Sequence, residues 1–150
     1  MATRSRIGIQ LKDDSVLSVY HHWDGYPEWL GKQLVEHFNT KEKATELIDG
    51  GDMSVCWTNE RWDSEPNQYG GATKSESEEY GPQYYSQRGE DCPPRLDSSI
   101  FDYLDKNNNE EFAYVWTVNN KWVCFDMNSF NDNNPEKVTI PEGKVKTGAI

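Results

Sequence analysis

The sequence of 150 residues has a low apolar content and no long apolar run. Hydrophobic residues make up 35% of the chain, and the mean hydropathy is −0.93. No stretch approaches the ~20 apolar residues of a membrane-spanning helix, and residues 1–20 lack the hydrophobic region of a signal peptide. We therefore expect a soluble protein that stays in the cytoplasm of the cell that makes it, without a membrane partner.

Basic residues are scarce. The chain has 15 Lys and Arg against 26 Asp and Glu, which gives a formal net charge of −11. A protein that reads the phosphates of duplex DNA across a broad face needs a basic surface. We therefore do not expect direct binding of duplex DNA. Mimicry of a nucleic acid by the acidic surface is a weaker alternative, since the negative charges are dispersed rather than arranged in closely spaced rows.

Motifs of known catalytic and metal-binding classes are absent. The sequence contains no P-loop, no GxSxG and no HExxH pattern. Cys56, Cys92 and Cys124 lack the CxxC spacing of a zinc or redox site, so we expect three buried thiols in a reducing compartment. His21 and His22 are adjacent, so on a strand they face opposite ways and do not share a metal. We predict no metal, no cofactor and no catalytic residue.

Aromatic residues, in contrast, are abundant. The chain holds 6 Trp, 8 Tyr and 5 Phe, and each buried ring removes roughly 150–250 Å² from water, so few residues can supply a core. The length is that of one domain. We therefore predict a single domain over residues 1–150.

Alternating apolar and polar residues predict a β-hairpin near each end of the chain. The first covers residues 7–21, and the second covers residues 112–125. Two helices fit after the first hairpin, one beginning near Pro27 and one with Asn39 as its N-cap. The predicted fold class is α+β, with one antiparallel sheet and helices on one of its faces.

Two stretches lack periodicity. Residues 59–99 combine Pro, Gly and an acidic run, which is typical of a long loop that is functional or mobile. Residues 131–150 are polar, and we predict a loose tail there up to the short apolar segment at 138–140.

The register of the first hairpin is predicted to place two arginines beside a histidine. A three-residue loop at 13–15 aligns the apolar rows of the two strands. The same register sets Arg6 opposite His22 and Arg4 opposite Asp24, on the face away from the core. The next helix begins directly afterwards, so we expect its free N–H groups beside the arginines.

This arrangement predicts a site for an anion. Two arginines and a helix N-terminus suit a phosphate, and the rings of Tyr20, Trp23 and Tyr26 offer a surface on which a base can stack. A nucleotide or another phosphorylated small molecule fits such a site better than a long nucleic acid. The alternative is purely structural: an exposed ion pair of Arg4 with Asp24, Trp23 in the core, and a turn that starts the helix.

A second cluster, Arg88-Gly89-Glu90-Asp91, falls in the predicted long loop. An arginine and two acids around a glycine suit a binding loop and equally a solvated turn. The residues that we predict to bind a ligand are therefore Arg4, Arg6, Tyr20, His22, Trp23, Asp24, Tyr26, Arg88 and Glu90.

Four segments resemble a family of small proteins that is common in the genomes of tailed phages. They are the opening Met-Ala-Thr-Arg-Ser-Arg-Ile-Gly-Ile, Tyr20-His-His-Trp-Asp-Gly-Tyr-Pro27, Leu34-x-x-His37-Phe38 and Gly51-Asp52-Met53-Ser54. With Tyr85-Ser-Gln-Arg88-Gly89-Glu90-Asp91, this version is similar to members from phages of cyanobacteria. The likeness covers residues 1–54 well, the Arg88 loop moderately and the second hairpin loosely.

The family has no settled activity, and the resemblance implies only a small phage accessory protein made inside an infected bacterium. The cysteine usual in the histidine block of the family is replaced by His21, which argues against a thiol nucleophile there. The positions that match recurring residues of the family are Arg4, His22, Trp23, Asp24, Gly25, Tyr26, Arg88, Gly89 and Glu90.

Three functions are compatible with these observations. The first is a non-catalytic module that inhibits a host system by binding a nucleotide signal or a host protein. The second is a small hydrolase or nuclease acting on nucleotides, with His22 as general base, Asp24 orienting it, and Arg6 or Arg88 stabilising the phosphoryl charge. The third is a structural protein of the virion. We favour the first because nothing in the sequence identifies a nucleophile. The sequence leaves the oligomeric state open.

Overall fold

The structure, a computed structural model, describes residues 3–56, 82–105, 110–131 and 134–140. Within these residues, strands form one sheet with helices on both of its faces. The strands are β1 Ser5–Gln10, β2 Val16–His21, β3 Met53–Val55, β4 Gln83–Tyr84, β5 Arg95–Asp97, β6 Phe112–Trp116, β7 Trp122–Asn131 and β8 Asn134–Val138. The helices are α1 Lys32–His37, which continues from a π-helical turn at Pro27–Gly31, α2 Lys41–Asp49 and α3 Ile100–Asp105, with a 3-10 turn at Tyr85–Arg88.

The sheet has the order β4-β3-β2-β1-β6-β7-β8, and β5 pairs with the first half of β2. β1 is central: it runs antiparallel to β2 and parallel to β6. β2 and β3 are also parallel. The α+β class is confirmed, but the prediction of a purely antiparallel sheet is wrong. Periodicity shows which side chains face the core, and it does not show which distant strands become neighbours.

Two apolar clusters cover the two faces of the sheet. On the first face, side chains of α1 and α2 pack on Ile7, Ile9 and Val19. On the second face, α3 packs on Val16 and Val115. The prediction of helices on one face is therefore wrong. Because side chains alternate along a strand, the second face also carries the even-numbered residues of β1 and β2, including the arginine and tyrosine predicted to bind a ligand.

The first hairpin has a register two residues away from the predicted one. Arg6 lies opposite Tyr20, and continuation of the same register places Arg4 opposite His22. A shift of two residues keeps every side chain on its predicted face. The predicted faces are therefore right, and the predicted cross-strand partners of the arginines are wrong.

The chemistry of the turn explains this register. The loop consists of residues 12–14, and Asp14 has a φ of 69°, the left-handed conformation that Asp tolerates better than most residues. The carboxylate of Asp13 accepts hydrogen bonds from both the backbone N–H and the hydroxyl of Ser15. These local bonds favour a loop one residue earlier than the alignment of apolar rows suggested.

Strands also occur where irregular chain was predicted. β4 and β5 lie within residues 59–99, and β8 lies within residues 131–150, paired with β7. Each of these strands is short or polar and is held by pairing with a partner strand rather than by an apolar row of its own. Residues 59–81 and 141–150 of the predicted loop and tail lie outside the described residues. No helix in the described part of the chain is long and apolar enough to cross a membrane.

Candidate functional site

His21 is a core residue on the first face of the sheet. Its Nε2 accepts a hydrogen bond of 2.9 Å from the backbone N–H of Cys56, so Nδ1 carries the proton and donates to the Ser5 hydroxyl at 3.2 Å. Burial, followed by the charge of His22, lowers the pKa of His21 to about 3. The ring is therefore neutral at physiological pH, and its role is structural.

His22 lies on the second face, in a row of rings. Its Nδ1 is 2.7 Å from the Tyr20 hydroxyl, and its ring meets Trp23 edge-on with centroids 4.7 Å apart. Burial and then the charge of Arg4 lower the pKa of His22, so the ring is neutral near pH 7. In the tautomer in which the Tyr20 hydroxyl donates to Nδ1, the proton sits on Nε2, which is then a hydrogen-bond donor.

The two N-terminal arginines have different environments. The Nε and Nη2 of Arg6 donate to the hydroxyl and carbonyl of Ser18 at 3.0 and 3.2 Å, and Nη1 lies 3.6 Å from the carboxylate of Glu110. Arg4 is exposed and lies close enough to Tyr20 and His22 to influence the pKa of both side chains. Arg6 is therefore engaged by the protein, whereas Arg4 faces solvent beside the rings.

We use the name His22 surface for the four residues Arg4, Tyr20, His22 and Trp23. Trp23 is 42% exposed, so its ring is open to a ligand. The structural alternative, which placed Trp23 in the core, is therefore wrong for this residue. Behind the rings, the backbone N–H groups of His22 and Trp23 donate to the carbonyls of Met53 and Ser54, which fixes the strand end.

Asp52 joins the His22 surface to the second predicted cluster. Its carboxylate accepts the backbone N–H of Tyr20 at 2.8 Å. Its own backbone N–H donates to the Cys92 carbonyl at 2.9 Å, and its carbonyl accepts the N–H of Tyr85 at 3.1 Å. Burial raises the pKa of Asp52, against the effect of the Tyr20 N–H. These bonds hold residues 85–92 against β2.

Sequence reasoning missed Asp52 as a member of the site. The sequence feature that could have indicated it is the preceding glycine, Gly51. Gly51 has a φ of 88°, and a Cβ at this position would collide with the carbonyl oxygen of Cys92. A glycine is needed there because the chain turns sharply and passes directly against the 85–92 segment. That turn directs the Asp52 carboxylate to β2.

The residues of the turn after β2 have mainly structural contacts. Asp24 is exposed with a φ of 55°. The N–H of Gly25 donates to the Thr3 carbonyl at 2.8 Å, and the Gly25 carbonyl accepts the hydroxyl of Tyr114 at 2.8 Å. The helical segment that begins at Pro27 packs on the first face. Its first residue, Pro27, has no N–H, and the N–H groups of Trp29 and Leu30 donate to the Tyr26 carbonyl at 3.1 and 2.9 Å. A free helix N-terminus beside the arginines stays a prediction.

The remaining predicted residues are Tyr26, Glu90 and Arg88. Tyr26 is 36% exposed in the same turn. Glu90 is exposed, and its backbone N–H donates to the Tyr85 carbonyl at 3.2 Å, which places it in the segment held by Asp52. The side chain of Arg88, at the end of the 3-10 turn, lies outside the described part of the structure.

Gly25→Ala should destabilise the fold by about 2 kcal/mol. A Cβ at this position would lie 2.6 Å from the Thr3 carbonyl oxygen and also against Ser5, so the first strand would have to move. We expect a melting temperature about 4–8 °C lower in thermal denaturation.

Gly89→Ala is the matched control for Gly25→Ala. Gly89 has a φ of 83° with no atom near its absent Cβ, so Ala there adds only backbone strain of about 1 kcal/mol. An equal or smaller loss for Gly25→Ala would show that the packing of Thr3 over this turn is not tight.

The thiols in this part of the molecule are poorly suited to catalysis. Cys56 is buried, and burial raises its pKa. Cys92 is half-buried rather than fully buried as expected, and desolvation followed by the charges of Asp52 and Glu90 raises its pKa. Neither sulfur is a thiolate at neutral pH. Within residues 3–56, 82–105, 110–131 and 134–140, no group of three His, Cys, Asp or Glu side chains is placed to hold a metal ion.

Comparison with protein-family models, with curated proteins and with solved structures finds no match to this chain. The interpretation of the His22 surface therefore depends on its geometry and on the chemistry of its side chains.

Proposed function

We propose that this chain is a non-catalytic binding protein for a phosphorylated small molecule of the nucleotide type, and that the ligand binds at the His22 surface. The observation that carries the proposal is the exposed Arg4 beside a row of rings that ends in the open Trp23. In the context implied by the resemblance, the protein is a phage accessory protein in the cytoplasm of an infected bacterium. There it inhibits a host system by removing a nucleotide signal.

Each part of the surface supplies one element of nucleotide recognition. The Arg4 guanidinium can bind a phosphate through two parallel hydrogen bonds. The His22 Nε2–H adds a neutral donor on the same surface. Trp23 offers a ring for a base, and such stacking contributes about 1–3 kcal/mol per base.

The contacts of His22 favour binding over catalysis. A general base needs an unprotonated ring nitrogen within reach of the substrate, and the hydrolase hypothesis gives Asp24 the task of orienting the imidazole. Here Nδ1 is bound by the Tyr20 hydroxyl, and Asp24 is exposed in a left-handed turn. A host protein that docks on Trp23 and Tyr26, which are 42% and 36% exposed, is the second form of the binding proposal, because exposed aromatic rings often anchor interfaces.

Arg4→Ala and Trp23→Ala should each weaken nucleotide binding about tenfold or more without loss of stability. The measurement is isothermal titration against a panel of nucleoside mono-, di- and triphosphates and cyclic dinucleotides, with mass spectrometry of the recovered ligand. Lys121→Ala and Leu96→Ala are matched controls, since both residues are exposed and lie away from the His22 surface.

The outcomes separate the alternatives. Unchanged nucleotide, recovered after denaturation, agrees with the proposal. Altered nucleotide whose formation depends on His22 contradicts it and favours the hydrolase alternative. If no nucleotide binds and a host protein is captured in a manner sensitive to Trp23→Ala, the second form of the proposal replaces the first.

A further inference from the structure

A cleft lies at the opposite end of the β1–β2 hairpin from the His22 surface. Its volume is about 390 Å³, which falls in the size range of small-molecule sites. Residues of three segments line it: the end of β1 with the following turn, the turn between β6 and β7, and the first residue of α2. None of the residues of the His22 surface contributes to it.

The body of the cleft is apolar. Ile9 and Trp116 lie at its floor, at 3% and 2% exposure, and the rim carries Leu11 and Val118, at 36% and 54% exposure. These two exposed side chains border the buried floor, and a contiguous apolar surface of this kind is typical of a ligand-binding groove. The Nε1–H of Trp116 is buried and has no hydrogen-bond partner within the described residues.

The charges around the cleft are of one sign. Lys12 and Lys41 are its charged lining residues, and no carboxylate lines it in the part of the chain that the structure describes. This is unusual for a chain with a net charge of −11. The acids next to lining residues in the sequence are Asp13 and Asp14, which accept hydrogen bonds from Ser15 and Gln10 in the β1–β2 turn, and Glu42 in the first turn of α2.

Helix α2 adds to the positive potential at this rim. Lys41 is its first residue, and the helix is nine residues long, with Thr40 as the N-cap. The first backbone N–H groups of a helix have no partner within the helix, and they carry the positive end of its dipole. The first turn also carries Glu42, and the Lys43 N–H is already bound by the Thr40 hydroxyl. A ligand that enters the cleft therefore meets mainly the two ammonium groups of Lys12 and Lys41 beside an apolar floor.

We propose that this cleft binds a small organic carboxylate with an apolar body, such as a medium-chain fatty acid. The alkyl part lies between Leu11 and Val118 above Trp116, and the carboxylate lies between Lys12 and Lys41. This site is separate from the His22 surface, and it does not depend on the function proposed for that surface.

Octanoate is the probe, added to the ¹⁵N-labelled full chain and followed by ¹H–¹⁵N correlation spectra. We expect the amide signals of Thr117, Val118 and Asn120 to shift in a saturable way, and those of His22 and Trp23 to remain in place. Octylamine has the same alkyl chain and the opposite charge, and it should bind about tenfold more weakly or not at all.

Two variants test the two halves of the cleft. Combined Lys12→Gln and Lys41→Gln should weaken octanoate binding about tenfold, since both exposed ion pairs to the carboxylate are lost. Val118→Asp should abolish binding by repulsion, and its exposed position should leave the fold intact. Lys121→Gln, on the same turn but outside the lining, is the matched control and should bind as the parent does.

The proposal is overturned if octylamine binds as well as octanoate, or if the shifts occur at Trp23 rather than at the β6–β7 turn. It is also overturned if no amide responds at about 10 mM octanoate, a concentration at which even a millimolar site is mostly filled. Nucleotide binding at the His22 surface is measured separately with Arg4→Ala, so failure of one proposal leaves the other testable.

Discussion

Arg6→Ala should lower the free energy of unfolding by about 3 kcal/mol, whereas Arg4→Ala should change it by less than about 0.5 kcal/mol. The two arginines are two residues apart on the same face, and their burial differs. The side chains of Arg6 and Glu110 are 12% and 3% exposed. Removal of Arg6 takes away the cation beside a buried carboxylate and two hydrogen bonds to Ser18. Water does not replace either interaction, because Ser18 and Glu110, which remain in the variant, are both buried.

Urea denaturation of the two single variants measures this difference. A double variant, Arg6→Ala with Glu110→Gln, identifies its source. If part of the cost comes from the lost ion pair with the Glu110 carboxylate, the double variant should be less destabilised than the sum of the single changes. Equal losses for Arg4→Ala and Arg6→Ala would contradict the assignment of Arg6 to the protein interior and of Arg4 to the ligand site.

Stability should also fall as the pH decreases below 6.5, and His21 should contribute roughly 1.4 kcal/mol of this loss per pH unit. The pKa of His21 is about 3 in the folded chain and about 6.5 in an unfolded chain. Between these values the unfolded chain binds a proton that the folded chain does not bind. A decrease in pH from 6.5 to 3 therefore favours unfolding. Above pH 6.5 the stability that neutral His21 contributes is fully present.

The test compares the parent with His21→Gln by denaturation at pH 7.5, 6 and 5, where few carboxylates titrate. Gln does not titrate, so the stability of this variant should depend less on pH, by about 2 kcal/mol between pH 7.5 and pH 5. His22→Gln is the matched control. His22 is half-buried, so its replacement should reduce the pH dependence of stability by less than His21→Gln does. A His21→Gln variant with the full pH dependence of the parent would show that His21 is protonated in the folded state.

The sequence pattern predicts the faces of the first hairpin correctly. The two-residue period places His21 in the core and puts Tyr20, His22 and both arginines on the other side, because burial of Ile7 and Val19 leaves no alternative. The register itself depends on the turn. Asp14 in a left-handed conformation and Asp13 bound to Ser15 set it two residues away from the predicted pairing.

Most of the missed contacts involve partners that are distant in sequence. Nothing near Arg6 indicates that Glu110 will lie 3.6 Å away, and nothing near Tyr20 indicates that Asp52 will accept its backbone N–H. The parallel pairing of β1 with β6 is of the same kind. The pattern of a segment indicates which of its side chains prefer to be buried. These long-range contacts depend instead on which segments become neighbours in the fold. Even a local feature can be off by one residue, since Thr40 rather than Asn39 caps α2.

The central position of β1 has a consequence for the order in which the chain folds. β1 is made first, but its parallel neighbour β6 follows about a hundred residues later, and contacts of such high sequence separation form slowly because a long loop must close. During synthesis, the first hairpin and its two helices can assemble while the β6 side of β1 still exposes unpaired N–H and C=O groups. Such an edge can pair with another chain. The protein is therefore most vulnerable to aggregation before residue 116 emerges from the ribosome, and a truncated chain that ends before β6 retains this vulnerability permanently.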